Sequence, residues 1–167
     1  MMDPQITVEA DGESWFLELE PNRLHHSRFT QEHHFPLHTH PAYHLILVDR
    51  RGCTLHIPQL TPVECPVRSL LLLNPEVPHR FTFGARDCEH SSFIWRFRSR
   101  DGRYWLKPLQ LLDGRREEPP RPYLLKVLSP VQASAYMRMH REAESYLHAR
   151  SGFVTSLKLF RLWTLGM

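Results

Sequence analysis

The chain has 167 residues, with Lys plus Arg at 21 against Asp plus Glu at 18, a formal net charge of +3 and 41% hydrophobic residues. That length describes one domain with room for a real core, and so even a charge balance lacks the concentrated basic face that a phosphate backbone demands. No apolar run reaches bilayer-spanning length and Met1-Met2-Asp3-Pro4 opens no secretory signal, so a cytoplasmic protein outside the membrane is expected.

Residues 6–10 and 14–20 read as two strands joined at Asp11-Gly12, a hairpin turn in which Trp15, Leu17 and Leu19 share one face. Residues 21–36 are polar and rich in histidine, and read as a loop plus a short strand. Of the neighbours His33 and His34, at most one can point inward, because adjacent strand residues face opposite ways.

The next stretch carries the chemistry. His38, His40 and His44 stand at even offsets, so on extended backbone their imidazoles share a face even if Pro41 introduces a bulge. Apolar strands are expected over 43–49, 53–57 and 67–73, while Pro58, Pro62 and Pro66 mark a winding connection along a barrel edge. Pro75 and Pro78 stiffen the turn before His79, which opens another alternating strand with Phe81 and Phe83 on its own face. If the sheet closes on itself, one pocket receives His38, His40, His44 and His79. Such a set suits a divalent transition metal (zinc, nickel, copper or iron), and it equally suits a hydrogen-bonded polar pocket. The remaining histidines, among them His25, His26, His56, His90, His140 and His148, are expected mostly at the surface.

Residues 91–97 alternate, with Phe93, Trp95 and Phe97 on one face. That face lines either the histidine pocket or the core, so Phe81, Phe93 and Trp95 are the candidate ligand-pocket residues. Cys53, Cys65 and Cys88 are odd in number and lack Cys-x-x-Cys spacing, which fits buried thiols in a reducing compartment. Residues 98–121 mix charges around Asp101-Gly102 and Asp113-Gly114, with short strands expected near 104–106 and 109–112. A last strand is expected over 123–127 after the stiff Pro119-Pro120-Arg121-Pro122.

At Ser129 the composition changes. Ser129 suits an N-cap and Pro130 the first helical position, so a helix is expected from there to about Arg150, with Tyr136, Met139, Ala143 and Tyr146 along one face. A second helix from Phe153 would be apolar over most of its circumference, through Val154, Leu157, Leu159, Phe160, Leu162, Trp163 and Leu165. That is more apolar surface than one sheet uses, and it points to a two-fold partner or to a helical hairpin against the barrel.

The two histidine segments resemble the two motifs of the cupins. His38 and His40 match the His-x-His of the first, His44 stands where Glu is expected, and Gly52 arrives one residue late. In the second, Arg68 and Glu76 stand at glycine places, Asn74-Pro75 shifts the proline by one, His79 is retained, and Phe83 takes the Asn place. The runs Tyr43-His44-Leu45-Ile46-Leu47-Val48 and Leu71-Leu72-Leu73-Asn74-Pro75-Glu76-Val77-Pro78-His79-Arg80-Phe81 are most similar to the N-terminal sensor domain of AraC-type transcription regulators. The resemblance implies a mainly β fold: a cupin double-stranded β-helix, or jelly-roll barrel, over residues 1–128, followed by a C-terminal helical hairpin over 129–167 that pairs two chains. It also implies an N-terminal arm able to fold over the pocket mouth, although an ordinary edge hairpin explains those residues equally well. The function implied is sensing of a small-molecule effector or a metal, with homodimerisation. Regulators of this type join a sensor to a DNA-reading domain, and with only the sensor expected here and no helix-turn-helix following Met167, no specific DNA binding by these residues alone is expected. The alternative is a metal-dependent cupin enzyme of oxygenase or isomerase type, for which the histidines supply ligands but no general acid or base.

Overall fold

The computed structural model describes residues 7–84, 87–108 and 121–148, the side chains of 19–23 and 146–148 apart. Eleven strands and one helix are found among them: β1 Thr7–Ala10, β2 Glu13–Phe29, β3 His33–His34, β4 Tyr43–Arg50, β5 Cys53–His56, β6 Val63–Cys65, β7 Ser69–Leu73, β8 Arg80–Phe83, β9 Cys88–Arg98, β10 Tyr104–Trp105, β11 Tyr123–Val127 and α1 Pro130–His148. The larger sheet runs β1-β2-β9-β4-β7-β11, with β10 on the end of β9, and the smaller runs β3-β8-β5-β6. Non-sequential neighbours such as β2-β9 and β4-β7 are what a jelly roll produces, and the fold is a mainly β, cupin-like barrel followed by a helix.

The hairpin β1–β2 forms at the expected place. Asp11 and Gly12 both take positive φ, 52° and 75°, as the two centres of a tight hairpin turn require. It is an edge hairpin of the large sheet, with the Trp15 ring 5.2 Å from that of Trp105 and the Trp15 Nε1 donating to the Ala10 carbonyl at 3.1 Å. Residues 21–36 depart from expectation, because β2 continues to Phe29 instead of breaking into a loop. Its ladder with β9 shifts register between Leu19 and Leu24 and then resumes, so the proline-containing bend is absorbed as an irregularity in one long strand.

Two cores result, one on each face of the large sheet. Ile46, Val48, Leu71, Leu73 and Cys88 meet Cys53, Leu55, Cys65, Phe81 and Phe83 of the small sheet inside the barrel. Tyr43, Leu45, Leu47, Leu70, Leu72, Phe93, Trp95 and Phe97 project from the other face and are covered by Ala133, Tyr136, Met137 and Ala143 of α1. Because β7 is thus sandwiched, all five of its residues, Ser69–Leu73, are buried and no alternation survives in its sequence. No disulfide joins the three thiols, which are buried in the barrel core.

The helix starts as the sequence indicates. The Ser129 hydroxyl accepts from the Gln132 amide at 3.2 Å, while the Gln132 side chain accepts from the Ser129 amide at 3.0 Å, a reciprocal cap. Its buried stripe runs Ala133, Tyr136, Met137, His140, Ala143. The expected strand over 109–112 and the expected second helix from Phe153 lie outside the described residues.

Candidate metal centre

Two segments forty residues apart are zipped together by their own backbone. The His38 amide donates to the His79 carbonyl at 3.0 Å, and the His79 amide returns the bond to His38 at 2.9 Å. Directly opposed strand residues project to the same side. The His38 and His79 ring centroids accordingly lie 4.4 Å apart. A second tie, from the Glu76 amide to the His40 carbonyl at 3.0 Å, holds the proline-bracketed turn against the first segment. Glu76 itself sits at φ 61°, the left-handed conformation that glycine adopts at no steric cost.

Each of these imidazoles has one nitrogen fixed by a carbonyl two residues away. The His38 Nδ1 donates to Pro36 at 2.8 Å, His40 Nδ1 to Ala42 at 3.1 Å, and His79 Nδ1 to Val77 at 2.8 Å. A carbonyl can only accept, so all three Nδ1 atoms carry the proton and Nε2 is the nitrogen with a lone pair. One ring nitrogen from each of His38, His40 and His79 lies within 4.8 Å of the others. Ligand nitrogens bound to one tetrahedral zinc sit about 3.3 Å apart, given bonds of about 2.0–2.1 Å, so the three rings would draw inward to share an ion. His79 is 1% exposed and its Nε2 has no hydrogen-bond partner. Burial pushes its pKa down to about 4, so it is neutral and available at pH 7. The chemistry of this donor set therefore fits a divalent transition metal.

His44 stands beside the trio without joining it. Its ring is 5.2 Å from that of His40 and 6.0 Å from that of His79; its Nε2 is engaged with the Ser92 hydroxyl at 2.6 Å and its buried Nδ1 has no hydrogen-bond partner, but neither nitrogen belongs to the group of ligand atoms within 4.8 Å of one another. Burial and the surrounding imidazoles hold it well below the ordinary histidine range. Of the four expected ligands, the geometry thus gathers three.

The pocket residues divide. Phe81 lies on the barrel floor, its ring 5.7 Å from that of His79. Phe93 and Trp95 are on the opposite face of the large sheet, where Trp95 stacks on Phe93 at 4.7 Å and on Tyr43 at 5.4 Å beneath α1. They are core, not pocket: β9 pairs Tyr43 with Trp95 and His44 with Ile94, so the histidine face and the aromatic face are alternate sides of one strand. The residues of β9 that share the histidine face are Cys88, His90, Ser92 and Ile94. His90 and His140 also correct the expectation of surface histidines, with exposures of 5% and 0%. His90 stacks on Phe83 at 5.0 Å, and the His140 Nε2 donates to the Ser92 carbonyl at 3.1 Å. The even spacing of His90 and Ser92 along β9 was the available clue.

Residues 21–152 match the family model of the AraC-like ligand binding domain. Among solved structures, unsaturated fatty acid bound wild-type ToxT from Vibrio cholerae aligns at TM-score 0.49 and 12% identity, over 90% of this chain and 52% of that one. Another ToxT structure from Vibrio cholerae aligns at TM-score 0.46 and 11% identity, over 74% of this chain and 47% of that one. An RmlC-like cupin family protein with a double-stranded β-helix fold, from Methanocaldococcus jannaschii, aligns at 0.36 and 12%, over 57% of this chain and 91% of its own. The chain spans about half the length of the ToxT structures it matches. No curated protein matches it by sequence.

Proposed function

The chain belongs to the AraC-like ligand binding domain family, and on that premise we propose that it is the effector-sensing module of a transcription regulator whose barrel carries a divalent transition metal. His38, His40 and His79 hold the ion through Nε2. The observation that carries this reading is the common tautomer, three Nδ1 atoms tied to main-chain carbonyls, in three histidines that each bring a ring nitrogen within 4.8 Å of the others. When bound, the metal supplies a Lewis-acidic centre with an open position for water or a small-molecule effector. The protein's own contribution is to fix the imidazoles, and to wall the floor with Phe81. An all-imidazole set suits zinc, nickel, copper or iron.

The regulator's pairing is assigned to residues 129–167, where the sequence from Phe153 is mostly apolar. Sedimentation of the chain should show a dimer that Leu157→Asp and Leu162→Asp together convert to monomer.

Zinc titration by calorimetry tests the metal reading. The wild-type chain should bind one zinc at the barrel site, and His38→Ala and His79→Ala should each remove it. Undiminished zinc binding by both variants would sink the proposal. Because three protein ligands leave a coordination position free, the same centre supports a second reading as a cupin enzyme. Oxygen consumption or isomerisation of a substrate by the iron-loaded chain would favour that reading over sensing.

A further inference from the structure

A second cluster of metal-ligating side chains lies on the other face of the large sheet, away from the barrel pocket. His26 of β2, Glu89 of β9 and Asp49 of β4 sit on three adjacent strands, and one ligand atom from each lies within 4.8 Å of the others. We propose that His26, Asp49 and Glu89 form a second divalent-cation site, of mixed nitrogen and oxygen ligands, at the seam between the large sheet and α1.

The tautomer of His26 can be deduced. The Ser91 hydroxyl donates to the Met137 thioether at 3.1 Å, and that sulfur can only accept. The Ser91 oxygen, its proton spent, must accept from the His26 Nδ1 at 3.0 Å. The His26 Nε2 is then left facing the Glu89 Oε2 at 3.6 Å. That spacing is long for a charge-assisted N–H···O bond, which closes to about 2.7–2.9 Å. It suits two ligands of one ion: a nitrogen and an oxygen each about 2.0–2.2 Å from a tetrahedral metal stand roughly 3.4 Å apart.

The strand ladder has been altered at this point. Val48 pairs with His90 and Arg50 with Glu89, so the register skips Asp49 and two residues of β4 face one of β9. Bulges of this kind re-aim a side chain, and this one accompanies the Asp49 carboxylate coming within reach of Glu89. The Glu89 Oε1 is met by Arg28 at 3.6 Å and Arg50 at 3.5 Å, but Arg28 is itself held by Asp87 at 2.7 Å, and the Oε2 is the oxygen turned to His26. Asp49 also lines an open groove of about 690 Å³ beside α1, which it shares with Arg68, Arg138, Arg141 and Glu142, so its carboxylate is open to solvent. Carboxylate-rich sites with one imidazole take zinc or manganese in preference to softer ions. Bound there, the ion ties β2, β9 and β4 together next to the helix.

The inference stands apart from the barrel site and is tested with that site disabled. In the His38→Ala chain, manganese(II) is titrated alone and the free ion counted by electron paramagnetic resonance. One equivalent should remain bound, and His26→Gln or Asp49→Asn added to that background should each weaken it at least tenfold, with circular dichroism unchanged. Glu89 is left intact, since it also holds Arg28 and Arg50. No bound manganese in the His38→Ala chain would show that His26 and Glu89 are an ion pair only and overturn the proposal. So would binding that survives both added substitutions.

Discussion

Replacing His90 by Phe should make the domain's stability less sensitive to acid. His90 is 5% exposed, packed against Phe83 and Phe29 with centroids at 5.0 and 5.5 Å, and its Nδ1 has no partner. Burial pushes its pKa down to about 3 from the ordinary 6.5. A base whose folded pKa is depressed binds its proton more readily in the unfolded chain. Its contribution is therefore intact above pH 6.5 and is lost progressively as pH falls toward 3. At pH 5 the loss is about 2 kcal/mol, since 1.36 kcal/mol per unit acts over roughly 1.5 units. Urea unfolding followed by tryptophan fluorescence, at pH 7.5 and pH 5 with a chelator present, measures it. The wild-type stability should drop between those pH values by about 2 kcal/mol more than that of His90→Phe. Any overpacking by the larger ring shifts both pH values alike and leaves the difference standing. Equal drops in the two proteins would refute the argument that this imidazole is buried and neutral.

Other outcomes follow from the two-faced sheet. Trp95→Ala should destabilise the chain by about 3–5 kcal/mol while leaving zinc affinity within threefold, because its ring lies under α1. Phe81→Ala should weaken zinc binding as well, since its ring packs 5.7 Å from His79; calorimetry on both variants separates the faces. Tyr136 is fully buried with its hydroxyl lacking a partner, so Tyr136→Phe should be neutral or stabilise by about 1 kcal/mol in urea unfolding. Zinc at a hundred times its barrel-site dissociation constant should raise unfolding stability by about 2.7 kcal/mol more in the wild type than in His79→Ala.

Much of this was legible in the residues. Asp11-Gly12 gave the hairpin, Ser129-Pro130 gave the helix start, and period two placed His38, His40 and His44 on one side, because each rests on local backbone chemistry. What stayed hidden depended on neighbours far along the chain. Alternation in β9 separates Phe93 and Trp95 from Ser92 and His90, but it cannot say which side closes the barrel when α1 covers the other. A sheet buried on both faces hides its inside from its sequence. His44 shares its face with His40, yet Ser92, forty-eight residues away, holds its Nε2. The continuation of β2 past Pro21 depends on β9 offering a partner on either side of the irregularity. His90 and His140 looked like surface residues because histidine is polar, and they are buried because aromatic rings and a backbone carbonyl receive them.

X-ray absorption at the zinc edge of the chain loaded with one equivalent tests the barrel centre most directly. Three imidazole nitrogens at about 2.0–2.1 Å, a shell that His38→Ala no longer shows, are the predicted result. A shell of oxygens alone, or a sulfur neighbour, or a spectrum unchanged in His38→Ala, would contradict it.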